Sequence, residues 1–129
     1  MPNPSRRQTP RVEVQLSAAV CEPTGRRRVL EGDILNLSEG GAFFSSRELL
    51  PIGTQVIVRI STEGIKEIEA VVSDLGPDEN ASAQADVRWS RETTQPTGFG
   101  IEFRNLTESA RTKIATIIRY FENLKKASS

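Results

Sequence analysis

The chain has 129 residues, 17 basic and 17 acidic, so its formal net charge is zero. That length suits one domain, and the balance excludes a uniformly basic nucleic-acid binder and an acidic disordered tail. A single cysteine, Cys21, leaves no internal disulfide framework or thiolate metal cluster, and the absence of histidine removes the usual general base and the commonest metal ligand.

Residues 1–11 carry Pro2, Pro4 and Pro10 with no hydrophobic periodicity, and read as a mobile N-terminal arm. Ser5-Arg6-Arg7 has the look of an export signal, but no apolar run follows it, so a cytoplasmic location is expected. Nowhere is there a run of the roughly 18–20 apolar residues that a membrane span needs. From Val12 to Val20 apolar and polar residues alternate, the mark of a half-buried strand. Pro23-Thr24-Gly25 turns the chain, and Arg27 to Leu37 reads as the hairpin partner. A Gly-rich corner, Asn36 to Gly41, leads into a short apolar strand at Ala42-Phe43-Phe44.

Pro51-Ile52-Gly53 makes another turn before a fourth strand at Val56–Ile60. A fifth strand is expected over Ile65–Leu75, a sixth over Ala83–Ser90 and a seventh over Gly98–Phe103. Neighbouring Phe43 and Phe44 must face opposite ways, and the single tryptophan, Trp89, reads as core from its place in an alternating strand. The period then changes. Ala110, Ile114, Ile117, Ile118, Phe121 and Leu124 recur at helical spacing, with Thr107 as N-cap, Glu108 in the first turn and Lys125-Lys126 near the end. This order predicts a mainly β protein: a closed antiparallel barrel of six to seven strands over 12–106, with a C-terminal helix over 107–126 packed on it. The helix stripe fits barrel packing, with a homodimer interface as the alternative.

The zero net charge hides a local imbalance. Residues 1–28 hold six arginines (Arg6, Arg7, Arg11, Arg26, Arg27, Arg28) against Glu13 and Glu22. Arg26–Arg28 fall at a hairpin turn and read as solvated charge, whereas a basic arm on an acidic body suggests a local anion site. Arg7 and Arg11 form an RxxxR pair, preceded by Arg6, and Asn36, Ser38 and Gly41 follow the pattern [D/N]xSxxG. Arginine pairs are common by chance in a chain with 13 arginines; the second pattern is much rarer.

Together the two motifs resemble the PilZ family of cyclic di-GMP receptors, and Trp89 with Gly98-Phe99-Gly100-Ile101-Glu102-Phe103 and the helix after it resemble the end of that domain. The resemblance implies the barrel fold, cyclic di-GMP as ligand, no other cofactor or metal, and regulation of motility, biofilm or polysaccharide output through a protein partner. It assigns Arg6, Arg7, Arg11, Asn36, Ser38, Gly40 and Gly41 to the ligand, and the extra Arg6 goes with an intercalated pair of ligands. The chemistry is coherent: guanidinium groups fork onto phosphate or the guanine O6/N7 edge and stack over bases, which lysine does less well. Asn36 is a departure, since an aspartate could accept from both guanine N1–H and N2–H while an asparagine has one acceptor atom.

Each of these residues carries two readings. The Ser38 hydroxyl can brace the turn instead of meeting the ligand, Gly40 and Gly41 can make a plain tight turn instead of supplying positive φ or close ligand approach, and Trp89 can stack on a base instead of filling the core. Two other functions stay open: a PilZ-like adaptor that has lost ligand binding, and a small nucleic-acid-binding barrel, which neutral charge and scarce aromatics disfavour. No nucleophile, metal set or acid–base pair assembles, so no enzyme is expected.

Overall fold

The computed structural model describes residues 11–22, 29–62, 65–66 and 81–128. Among the described residues, the strands β1 (Val12–Cys21), β2 (Val29–Leu37), β3 (Gly41–Ser45), β4 (Gln55–Ile60), β5 (Ala81–Arg91) and β6 (Gly98–Arg104) precede a C-terminal helix, α1 (Glu108–Ser128). The strands pair antiparallel and close in the order β1-β2-β3-β6-β5-β4. Closure leaves no free sheet edge to aggregate or slip. The barrel is complete with six strands; the expected additional strand over 65–75 falls almost wholly outside the described residues, as do the arm and Arg26–Arg28.

Alternation decides what goes inside. Val12, Val14, Leu16, Ala18 and Val20 of β1 are buried while Glu13, Gln15 and Ser17 are exposed. Val56, Val58 and Ile60 of β4 do the same, and Ala83, Ala85 and Val87 supply the small residues that a narrow barrel needs. Phe44 and Phe99 fill the interior against each other, ring centroids 5.3 Å apart.

The helix starts where the sequence places its cap: the Ala110 amide donates to Thr107 Oγ1 at 3.0 Å, and the Arg111 amide to the Thr107 carbonyl at 2.9 Å. It packs against β1 and β5, the two strands that flank β4. Ala110, Ile114, Ile117 and Ile118 are buried, Tyr120 and Phe121 are half-buried against the core and Leu124 is 50% exposed, so core packing is concentrated before residue 122. No described helix is long and apolar enough to cross a membrane.

Ile114 is fully buried among barrel side chains. Ile114→Ala should therefore lose about 2–4 kcal/mol of unfolding free energy in urea titrations. A loss below about 1 kcal/mol would mean that the helix contributes little to the core.

Candidate functional site

The site is assembled by strand register. Glu13 of β1 pairs with Asn36 of β2, Asn36 with Phe43 of β3, Phe43 with Gly100 of β6, and Gly100 with Trp89 of β5. These five positions form one row across the outer surface, each step spanning the 4.7–4.9 Å typical of neighbouring strands. Register shifts create the row, and one of them lies between Glu13 and Leu16 in the β1–β2 pairing. Between Ile34 and Asn36, β2 carries one extra residue, Leu35, relative to β3; between Val87 and Trp89, β5 carries one extra, Arg88, relative to β6. An inserted residue reverses the inside–outside parity beyond it. Asn36 therefore points outward between the fully buried Ile34 and Leu37, and Trp89 points outward although Val87 points in.

That corrects the expectation for Trp89. The indole lies outside the barrel, 38% exposed, stacked on Phe43 with centroids 5.4 Å apart and planes 19° from parallel. Phe43 and Phe44 do face opposite ways, but both are buried: Phe44 by the interior, Phe43 under Trp89. The Arg91 guanidinium sits over both rings, 5.0 Å from Phe43 and 5.9 Å from Trp89, within cation–π range. Gly100 makes the stack possible, because a Cβ there would collide with the indole. Arg88–Glu102 at 2.9 Å and Arg104–Asp86 at 3.1 Å border this platform as ion pairs.

Beside the platform the two halves of the sequence pattern meet. Arg11 Nη1 donates to Asn36 Oδ1 at 2.7 Å across 25 residues of sequence. The bond uses the amide's one acceptor atom and turns its NH2 donors elsewhere. Arg11 stands one residue before β1, with Val12 buried, so it shares the outward parity of Glu13.

Ser38 is 4% exposed and its hydroxyl is spent within the corner. Oγ accepts from the Gly40 amide at 3.2 Å and the Gly41 amide at 3.1 Å, and donates to the Gly41 carbonyl at 3.3 Å. The Ser38 amide donates to that same carbonyl at 2.8 Å, and the Gly40 carbonyl accepts from the Phe103 amide at 2.9 Å, tying the corner to β6. Neither Gly40 nor Gly41 has a left-handed φ; among described residues positive φ occurs at Gly53, Gly98 and Asn105. Gly41 is needed for a different reason: a Cβ would strike the Ile101 carbonyl.

Of the predicted site residues, then, the structure brings Arg11 and Asn36 together and makes Ser38, Gly40 and Gly41 the frame beneath them. Arg6 and Arg7 lie outside the described residues. Phe43 and Arg91 were not anticipated as part of the site; the glycine opposite a large aromatic, Gly100 against Trp89, is the sequence signal that could have found them.

The PilZ domain family model matches residues 5–120. The PilZ domain of YcgR from Escherichia coli, solved with cyclic di-GMP, is similar at 13% identity and a TM-score of 0.69, covering 95% of this chain and 96% of that one. The inhibitor of motility MotI/DgrA from Bacillus subtilis gives 15% identity and a TM-score of 0.65 over 100% of this chain and 58% of that one. The PilZ domain of CeSA from a cellulose-synthesizing bacterium gives 17% and 0.59 over 88% and 98%. No curated protein matches the chain in sequence.

Ser38→Ala removes a buried hydroxyl that serves three backbone groups. Its cost should be about 1–2 kcal/mol of unfolding free energy, read from urea midpoints at constant slope. An unchanged midpoint would show that the corner holds without it.

Proposed function

We propose that this chain, which belongs to the PilZ domain family, is a receptor for cyclic di-GMP that passes the signal to a protein partner. The observation that carries this reading is the contact between Arg11 and Asn36, which joins the arm motif to the corner motif beside an exposed aromatic platform. YcgR supports it as a neighbour of the same fold solved with that ligand.

The ligand is a dianion with two guanines. Arg11, with Arg6 and Arg7 from the arm, would fork onto phosphate oxygens or the guanine O6/N7 edge. Asn36, its oxygen held by Arg11, would offer NH2 donors to ligand acceptors. Trp89, backed by Phe43 and Arg91, presents an exposed ring face for a guanine, a contact worth roughly 1–3 kcal/mol. Ser38, Gly40 and Gly41 keep the corner rigid, so ordering entropy is spent on the arm and not on the receiving surface. Binding would draw Arg6 and Arg7 over the barrel and create a new surface for the partner. The output fitting the family is motility, biofilm or polysaccharide regulation from the cytoplasm. Three arginines in the arm region would also suit an intercalated ligand pair.

A second reading has one observation in its favour: Asn36 has its acceptor occupied by Arg11, as an adaptor without ligand binding would tolerate. Isothermal titration with cyclic di-GMP separates the two. The receptor reading expects heat of binding, a change in the fluorescence of the sole tryptophan, Trp89, and at least roughly tenfold weaker binding in Arg7→Ala and Arg11→Ala. An absence of heat, or an Arg7→Ala variant that binds as well as the parent, overturns it.

A further inference from the structure

Between the start of β1 and the end of α1 lies an open cleft of about 410 Å³ whose described lining residues are Arg11, Val12, Glu122, Lys125 and Lys126. Its volume lies at the lower end of the roughly 300–1,000 Å³ that ligand sites occupy. Its described lining residues include three cations, Arg11, Lys125 and Lys126, and one carboxylate, Glu122. Arg11 is common to this cleft and to the Asn36 contact, so the two are continuous through one side chain.

From this we infer that the last turns of α1 form a second wall of the ligand site, where Lys125 and Lys126 hold the phosphodiester charge of cyclic di-GMP. The inference rests on the receptor reading above and adds a helical component to it.

Basic residues at a helix C-terminus ordinarily face water and complement the helix dipole. Here the same residues line a concavity whose opposite wall is the arginine of the arm motif. Lysine suits this position because its ammonium is a point charge on a long flexible stem, able to follow a phosphate that the planar arginine fork has already oriented. A lining that brings Arg11, Lys125 and Lys126 together suits a ligand with two phosphodiesters. Among the described lining residues Glu122 is the carboxylate, one helical turn from both lysines, and it lowers the positive potential a ligand would feel there.

A consequence for signalling follows from the packing. Ile114 and Ile117 pin the first half of α1, whereas Leu124 is half exposed and the segment from Glu122 onward is outside the core. A ligand held by Lys125 and Lys126 would damp motion in that outer half without disturbing the barrel.

The decisive experiment is titration of the full chain with cyclic di-GMP, with inorganic phosphate as a control for general anion binding. Lys125→Gln combined with Lys126→Gln should weaken binding by roughly tenfold and flatten its dependence on salt, while Glu122→Gln should tighten it roughly two- to threefold. Inorganic phosphate alone should give no heat. In the parent, ligand should slow amide hydrogen exchange over residues 119–128, and the double lysine variant should lose that slowing. Binding by the double variant within twofold of the parent, unchanged exchange in the helix, or phosphate competing as well as the dinucleotide overturns the inference and leaves the receptor reading intact. Absence of heat in the parent overturns both.

Discussion

Parity is the constraint on which this protein depends. In a closed barrel every residue of a strand points either into a filled interior or out to the surface, and no free edge allows a strand to shift its register. Two extra residues, Leu35 in β2 and Arg88 in β5, change that parity at one place each. Without the first, Asn36 would follow Ile34 inward and place an amide among Val, Ile and Phe side chains. The cost of such burial without partners is several times the stability contributed by an ordinary surface contact. Without the second, Trp89 would follow Val87 into a space that β5 otherwise furnishes with Ala83 and Ala85. Because the strands between them, β3 and β6, keep regular pairing through Phe43 and Gly100, both displaced side chains arrive on the same outer row.

The strands and the helix were legible because their periodicity is undisturbed. Val12 to Val20 and Val56 to Ile60 alternate cleanly, and the helix is marked by its Thr107 cap and the spacing of Ala110, Ile114, Ile117 and Ile118. Register shifts leave a weaker trace. Ile34 and Leu37 share the interior at a spacing of three, a spacing that reads equally as a strand with a buried end. Val87 and Trp89, at a spacing of two, give the wrong face for the tryptophan outright. The information that corrects it lies on another strand, in Gly100, and pairing between β5 and β6 cannot be deduced from either segment alone.

Arg11, Asn36, Ser38, Gly40 and Gly41 of the two motifs fall together in the structure, which divides the labour among them. A hydroxyl and two glycines in a ligand motif suggest groups that touch the ligand; here Ser38 is buried and fully engaged with backbone, and Gly41 is required by the Ile101 carbonyl. These residues make a rigid ledge. The chemistry exposed on that ledge comes from Arg11, Asn36 and the Phe43–Trp89–Arg91 stack. Such a separation has a physical advantage: hydrogen bonds that shape the corner are satisfied before any ligand arrives, so none of their energy must be exchanged on binding.

Arg11 is the point where the barrel corner and the end of the helix meet. It stands at the boundary of the arm, bonds Asn36 on one side and borders the end of α1 on the other. The two neighbours differ in how firmly they are held. Asn36 belongs to a strand paired on both sides, with Ile34 and Leu37 fully buried around it, and moving it would break ladder hydrogen bonds and expose apolar surface. The end of the helix is less firmly packed: residues 122–127 are exposed, and displacing them uncovers little apolar area at about 25 cal/mol per Å². A change at Arg11 is therefore transmitted unequally. The barrel side resists it, and the outer half of α1 yields. A small domain whose core must stay intact can change its surface only where packing is already thin, and in this chain the site residue at the arm boundary borders that region directly.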